Sequence, residues 1–239
     1  MRLMDTNRLR LFFAAVAIAM LVPVAAVPGF GQTSVPPGTG ETFKDTSMLK
    51  PPPGVRLAVL EWQDLTCPAC AHAFPIVHAA AAHYNIPLIE RDFLLSGEHA
   101  VMGDREAAVW ARYLQDKVSM KMAEEYRGAV FAAQSGIANT DDMLNFTRRF
   151  FQTHGLQMPF VPDPTGQFTK EVDADKALGE KLGVYYTPCI IVCTQHEWVH
   201  VTDVSRLYET IDALEARAGE AAPAKTTPAK TTPAKKTAH

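Results

Sequence analysis

Hydrophobic and polar residues follow two different periods along the middle of the chain, and each period predicts one kind of element. Short runs rich in branched and aromatic residues are typical of strands. They occupy residues 56–62, 86–94, 188–193 and 198–202. The last two runs flank Thr-Gln-His-Glu, a polar segment that predicts a turn between two antiparallel strands.

Apolar residues at helical spacing predict the remaining elements. Helices are expected from Pro68 to about Tyr84, in three stretches from about Asp104 to His154, from Lys170 to Leu182, and from about Val204 to just before Gly219. The order is therefore β-α-β, a helical block, and α-β-β-α. Because the first unit needs a right-handed crossover, its two strands are parallel. The sequence predicts an α/β fold, with a central mixed sheet flanked by helices and an inserted helical block.

The N-terminal segment has the layout of a targeting signal. Residues 1–31 begin with arginines and continue into the uncharged apolar run Leu11–Val27, followed by small residues, as in a secretory signal peptide. An uncleaved membrane anchor is the alternative, although the run is slightly shorter than the roughly 20 residues of a comfortable span. We expect the protein to be periplasmic or otherwise extracytoplasmic.

Two further segments lack any apolar period. Residues 32–54 are rich in proline, glycine and threonine and predict a linker. Residues 220–239 form a Lys/Pro/Thr/Ala repeat tail that cannot bury a core and is expected to be disordered. The folded domain is thus predicted over residues 55–219, with the helical insertion at about 98–168.

Charge and cysteine content narrow the classes of function. The net charge of the 239 residues is −3, which gives no reason to expect a nucleic-acid partner. Four cysteines are too few for a disulfide scaffold in a chain of this length. A close pair in an exported protein points instead to redox chemistry or to a metal.

The segment Cys67-Pro68-Ala69-Cys70 lies where the first predicted strand meets the first predicted helix. Proline is favoured at the first helical position, so Cys67 is expected at the helix N-terminus, where free N–H groups and the helix dipole stabilise a thiolate. Cys70 lies on the same face, one turn deeper. Disulfide exchange requires this arrangement, because one thiolate attacks and a second thiol resolves the mixed disulfide.

A structural disulfide or half of a zinc site would also account for such a pair. Cys189 and Cys193 do not complete a zinc site, since four strand residues at roughly 3.3 Å each separate them by about 13 Å. We expect both to be inert core residues, with a modulating position of Cys189 beside the site as the alternative. His196–His200 matches a zinc-protease motif, but that motif requires a helix and these residues lie on a predicted hairpin.

Several motifs occur together around the cysteine pair. They are EWQDLTCPAC at the strand–helix junction, Glu61 six residues before Cys67, Pro75 eight residues after it, RDFLL, and LGVYYTPCIIV with Thr187-Pro188. In these motifs the chain resembles the thioredoxin superfamily, and within it the DsbA-like branch with a helical insertion. The resemblance covers about residues 55–219, and the helical block is matched only by its length and helicity.

The resemblance implies a thiol–disulfide oxidoreductase that acts on cysteine-containing protein substrates through a redox-active disulfide between Cys67 and Cys70. It implies no cofactor and, by analogy, a membrane redox partner that resets the pair. Thr187 and Pro188 correspond to the cis-proline bend, whose backbone binds a substrate strand; an ordinary proline opening a strand is the alternative.

Two more site residues follow from the same resemblance. Glu61 corresponds to a buried acid that accepts the proton of the resolving thiol, with a partly exposed strand-end glutamate as the alternative. Trp62 is expected to rim the site and shape the substrate groove, with packing into the core as the alternative.

The chain departs from the family's pattern at Ala69, where DsbA has histidine and thioredoxin has proline, so the direction of electron flow stays open. Two rival functions also stay open at this point. One is a thioredoxin-like module that binds a metal or docks a partner without turnover, and the other is a redox sensor.

Overall fold

The computed structural model describes residues 43–95 and 103–220, with side chains described up to Ala218. The expected signal peptide or anchor at residues 1–31 and the repeat tail from residue 221 onward lie outside the described residues.

A mixed sheet of four strands forms the centre of the described structure. The strands are β1 (Leu57–Gln63), β2 (Leu88–Asp92), β3 (Cys189–Thr194) and β4 (Trp198–Val201). They lie in the order β2-β1-β3-β4, with β1 parallel to β2 and antiparallel to β3. The β3–β4 pair is an antiparallel hairpin. The predicted mixed sheet is therefore confirmed, including the parallel pair made by the first crossover.

Six α-helices surround this sheet within the described residues. They are α1 (Pro68–Tyr84), α2 (Asp104–Lys117), α3 (Met120–Ala133), α4 (Thr140–Thr153), α5 (Gln167–Leu182) and α6 (Leu207–Glu220). Their ends follow local chemistry: Pro68 opens α1, Asn85 closes it at a φ of 51°, and Gly183 closes α5 at a φ of 104°. No helix in the described part of the chain is long and apolar enough to cross a membrane.

Every residue of β1 is buried, because helices cover both faces of the sheet. Leu57 and Val59 share one face with Val77 of α1 and Ile211 of α6. Alternate residues of β1 pack on the other face with Leu182 of α5. A strand that is apolar on both faces has a continuous hydrophobic sequence, as β1 has in its first half from Leu57 to Leu60.

Residues 43–54 contain no helix or strand, as predicted, but they do not form a free linker. Leu49 is 2% exposed and belongs to the core on the α5 side of the sheet. The Lys44 amide donates to the Leu182 carbonyl at 2.7 Å, and the Phe43 ring contacts Trp198. This segment therefore belongs to the packed domain, because its few apolar residues cover a sheet face that α5 leaves open.

A buried ion network joins the sheet to the helices that follow β2. Asp92, 1% exposed, accepts from Arg127 Nη1 at 2.9 Å and from Arg112 Nε at 2.6 Å. Arg112 also binds Asp175 of α5, which accepts in addition from Arg91 of β2 at 2.8 Å. Two arginines, one on α2 and one on α3, thus converge on a single carboxylate at the end of β2.

We predict that Asp92→Asn destabilises the protein by about 3–5 kcal/mol, because it leaves the buried Arg127 and the largely covered Arg112 without their shared counter-charge. The matched control is Asp173→Asn, since Asp173 pairs with Arg105 on the surface with both side chains about half exposed. That change should cost less than about 1 kcal/mol. Urea unfolding measures the free energy of unfolding of both variants. Equal losses of stability would contradict the conclusion that the buried network holds the inserted helices on the sheet.

Candidate functional site

A tight turn at Asp64 positions the start of α1. The Asp64 carboxylate accepts from the amide and the hydroxyl of Thr66 at 2.8 and 2.7 Å, and its second oxygen accepts from the Leu95 amide at 3.1 Å. The Cys67 amide donates to the Asp64 carbonyl at 3.0 Å. Aspartate commonly forms such turns with the backbone two residues on. The turn leaves Cys67 at the N-cap position of α1 in an extended conformation, as the sequence predicts.

Gln134, in the turn that follows α3, holds the same loop from the other side. Its Nε2 donates to the carbonyls of Leu65 and Cys67 at 2.9 and 3.0 Å. The sequence does not reveal this contact, because nothing local to Gln134 indicates a partner 67 positions away. The inserted block therefore contacts the cysteine loop directly and fixes two of its carbonyl groups.

The two thiols of the pair have opposite acidities. Cys67 is half-buried, and its pKa is lowered to about 6. The largest cause is a hydrogen bond from the Cys70 thiol, which outweighs the opposing effect of burial; Thr187 and the amides of Cys70 and Ala69 add to it. Burial raises the pKa of Cys70 far above its ordinary value, and the charge on Cys67 raises it further. At neutral pH Cys67 is a thiolate and Cys70 a protonated thiol.

The Thr187-Pro188 peptide is cis and lies beside Cys67, as expected from the resemblance. Cys67 Sγ is 3.5 Å from the Thr187 carbonyl oxygen. The Thr187 hydroxyl is buried and has no hydrogen-bond partner among the described residues. A thiolate on Cys67 can therefore receive the hydrogen bond of this hydroxyl. The structure thus brings Cys67, Cys70, Thr187 and Pro188 together at one place.

Glu61 is completely buried, and neither of its carboxyl oxygens has a hydrogen-bond partner within the described residues. Alternation along β1 places it on the face that α1 covers, two residues beyond Val59. Its pKa is raised to about 8, mainly by burial and then by the neighbouring Glu90, whereas the charges of His78 and Arg127 oppose the increase. The exposed strand-end alternative is excluded by this burial.

Trp62 does not rim the site, so its predicted role in a substrate groove is wrong. It is fully buried on the α5 face, and its Nε1 donates to the Asp175 carbonyl at 3.3 Å. Helix α5 approaches so closely that a Cβ on Gly179 would lie 2.9 Å from the indole. Strand alternation turns Trp62 away from Glu61, and the core-packing alternative is the one observed.

Cys189 and Cys193 are both fully buried on the sheet face opposite α1. Cys189 Sγ lies 3.9 Å from His200 Nε2, which in turn is 2.8 Å from the Tyr186 hydroxyl. Burial raises the pKa of Cys193 to about 12. His196 and His200 lie on the hairpin and not on a helix, as predicted.

Comparison with protein-family models gave no match, and no curated protein matches either. Solved structures do match. The alpha-DsbA1 of Wolbachia pipientis is 16% identical with a TM-score of 0.56, over 72% of this chain and 92% of that one. The thiol-disulfide exchange protein alpha-DsbA2 of Wolbachia pipientis is 18% identical with a TM-score of 0.53, over 69% and 85%. A thioredoxin-like oxidoreductase from Silicibacter pomeroyi DSS-3 is 26% identical with a TM-score of 0.52, over 70% and 88%.

The chain has the thioredoxin-like fold of the DsbA type. The resemblance drawn from the sequence motifs is confirmed at the level of the fold. In this DsbA-type fold, the cysteine pair lies between the sheet domain, which supplies β1 and the cis-proline bend, and the inserted helices, which supply Gln134.

We predict that the thiolate absorbance of the reduced protein titrates with a midpoint near pH 6, as expected from the lowered pKa of Cys67. Thr187→Val should raise the midpoint by about one to two pH units, because a hydrogen bond to a charged group is worth about 1.5–3 kcal/mol and a tenfold change in ionisation about 1.4 kcal/mol. Thr202→Val, on the exposed surface, is the control. An unchanged midpoint in Thr187→Val would exclude the hydroxyl as a donor to Cys67.

Proposed function

We propose that the protein is an exported thiol–disulfide oxidoreductase that exchanges disulfides with protein substrates through Cys67 and Cys70. The observation that carries the proposal is the difference in pKa between the two thiols. The lowered pKa of Cys67 gives a thiolate at the helix N-terminus, and the raised pKa of Cys70 keeps the buried thiol beside it protonated. The names of two structural neighbours, a thiol-disulfide exchange protein and a thioredoxin-like oxidoreductase, support the same class of reaction.

The reaction proceeds in two exchanges. The Cys67 thiolate attacks one sulfur of a substrate disulfide, forms a mixed disulfide, and releases the other substrate sulfur as a thiolate. Cys70 then loses its proton and attacks Cys67 Sγ, so that the Cys67–Cys70 disulfide forms and the second substrate sulfur leaves. The substrate gains two electrons and the protein loses two; the reverse sequence oxidises a dithiol substrate.

Three further residues have roles in this proposal. Glu61 accepts the proton of Cys70, because a carboxyl group with a pKa near neutrality is suited to general base catalysis. The backbone of Thr187 and Pro188 binds an extended substrate segment beside Cys67, which lies 3.5 Å from the Thr187 carbonyl.

The proposed location is outside the cytoplasm. It is supported by the basic start and apolar run of residues 1–31, which have the layout of a secretory signal. Disulfides persist in that environment, and cysteine-containing exported proteins are then the substrates. A membrane redox partner that resets the pair completes the proposed cycle.

We predict that the protein accelerates the reduction of insulin by dithiothreitol. Cys67→Ser should reduce the rate to the uncatalysed background, because no other thiol of the pair is ionised at neutral pH. Cys70→Ser should retain the first attack and accumulate mixed disulfides with substrate, visible on non-reducing gels.

Cys193→Ala is the control, since Cys193 lies in the core on the opposite sheet face and should leave turnover intact. A binding module without turnover would leave all variants at background. A redox sensor would show slow turnover together with a defined reduction potential. Normal turnover by Cys67→Ser would overturn the mechanism.

We predict further that Ala69 makes the couple more reducing than DsbA, which lies at about −120 mV, and places it nearer the about −180 mV of protein disulfide isomerase. Ala69 is exposed beside the Cys67 sulfur and offers only its amide. Ala69→His adds a charge-assisted hydrogen bond worth about 1.5–3 kcal/mol, which corresponds to an increase of roughly 30–60 mV.

A glutathione titration measures both potentials, and Ala79→His, exposed farther along α1, controls for the added imidazole. A potential of about −120 mV or higher in the unmodified protein would show that a group other than residue 69 sets the redox poise.

A further inference from the structure

A cluster of charged groups lies beside Glu61 and is not used by the two exchanges described above. His78 of α1 lies between two carboxylates, with its Nε2 3.4 Å from Glu90 and its Nδ1 2.7 Å from Glu124. Glu90 also accepts from Gln63 Nε2 at 2.6 Å and lies 4.0 Å from Arg127 Nε. These contacts fix a carboxylate and an imidazole beside the buried acid.

Glu90 is the direct neighbour of Glu61 in the parallel register of β1 and β2. Paired residues on adjacent strands are about 5 Å apart and have their side chains on the same face. On the other side, Glu61 is paired with the apolar Ile190 of β3. Glu61 therefore has a carboxylate beside it, no hydrogen bond within the described residues, and no compensating group from β3.

The charged groups around Glu61 oppose one another. Glu90 from β2 disfavours a second negative charge, whereas His78 from α1 and Arg127 from α3 favour it. Helix α6 contributes the apolar residues Leu207 and Ile211 to this sheet face. Burial lowers the pKa of His78, but its contacts with Glu90 and then Glu124 outweigh burial and raise that pKa above its ordinary value, which favours the positively charged imidazole.

We propose that His78 and Glu90 are positioning residues of opposite charge that set the ionisation of Glu61, and with it the pH range in which Cys70 can resolve a mixed disulfide. The inference rests on the proposed function and assigns a role to two residues outside the cysteine motif. It deepens that function, because it states which groups decide when the proposed base is ionised.

The step that depends on this cluster has a defined proton and electron balance. The Cys70 S–H proton passes to the Glu61 carboxylate, and the Cys70 sulfur forms a bond to Cys67 Sγ. The bond between Cys67 and the substrate sulfur breaks, and its electron pair leaves with the substrate as a thiolate. Glu61 must then lose the proton again before the next turnover.

Solvent reaches the cluster from the side opposite the cysteines. An open cavity of about 460 Å³ is lined by His78, Glu90 and Glu124, together with Met120 and residues near the end of α1. The side chains of His78 and Glu90 that line it are 17% and 16% exposed. Protons can therefore exchange between these two groups and bulk solvent, so the charge that acts on Glu61 responds to the bulk pH.

The two residues should act with opposite sign. With a pKa of about 8, roughly a tenth of Glu61 is ionised at pH 7, and raising that pKa from 8 to about 9 would lower the ionised fraction about tenfold. His78→Gln removes a positive charge and should move the midpoint of Glu61 ionisation to higher pH. Glu90→Gln removes a negative charge and should move this midpoint to lower pH. The second shift should be smaller than the loss of one negative charge alone would produce, because His78 also loses a partner that favours its positive charge.

Stopped-flow reaction of the reduced protein with dithionitrobenzoate measures the resolving step directly. Attack by Cys67 releases one thionitrobenzoate, and the rate of this phase depends on the reagent concentration. Attack by Cys70 then releases a second thionitrobenzoate, and the rate of this intramolecular phase does not depend on the reagent concentration. The leaving group needs no proton, so the pH midpoint of the second phase reports deprotonation of Cys70. We expect this midpoint to move by about half a pH unit or more, upward in His78→Gln and downward in Glu90→Gln.

His78→Lys, which keeps the positive charge, should restore the midpoint, and Glu125→Gln on the exposed side of α3 is the matched control. Circular dichroism verifies the fold of each variant. If Glu61→Gln leaves the second phase unchanged, the proposed base is wrong. If Glu61→Gln removes the pH dependence but His78→Gln and Glu90→Gln leave the midpoint in place, the roles of His78 and Glu90 alone are overturned.

Discussion

The structure depends on the neutralisation of Asp92, a buried carboxylate at the end of β2. Two arginines from different inserted helices contact it, Arg127 from α3 and Arg112 from α2. The inserted helices therefore cannot move away from the sheet without leaving buried charges unpaired. Arg127 lies seven residues before Gln134, a distance of about 10 Å along a helix. Fixing the arginine on Asp92 therefore also fixes the glutamine on the carbonyls of Leu65 and Cys67.

That anchoring gives the cysteine pair its asymmetry. Cys67 lies at a helix N-terminus between two rigid supports, the Asp64 turn and Gln134, so amides and the Cys70 thiol converge on its sulfur. Cys70 packs in the core that the inserted helices complete. The same packing that shelters the resolving thiol thus raises its pKa, and a base is needed to ionise it.

The sequence predicted what local patterns determine and missed what distant contacts determine. Proline after Cys67 predicted the start of α1, and the predicted sheet and hairpin follow from short-range signals, whereas the cis bend was expected from the family resemblance. Trp62 was misassigned because β1 is buried on both faces, so its pattern does not reveal which face bears the site. Gln134 and Glu90 could not be found, since their partners come from other elements that only the fold brings together. The sequence predicts a linker over residues 32–54, because a single buried leucine, Leu49, produces no apolar period there.

Glu61 and Cys67 also tie the stability of the fold to pH in opposite directions. The folded pKa of Glu61, about 8, exceeds its unfolded value, so the folded state holds an extra proton and loses stability as pH rises towards 8. The folded pKa of Cys67, about 6, lies below its unfolded value, so the dithiol form gains stability as pH rises above 6. Between pH 6 and 8 the two effects oppose each other in the reduced protein. Oxidation removes the thiolate and leaves only the loss from Glu61, so rising pH in this range favours the reduced protein over the oxidised one in folding stability. The stability that the fold gains by ionising Cys67 therefore offsets the cost of the buried carboxyl in the dithiol state, the state from which Cys67 attacks.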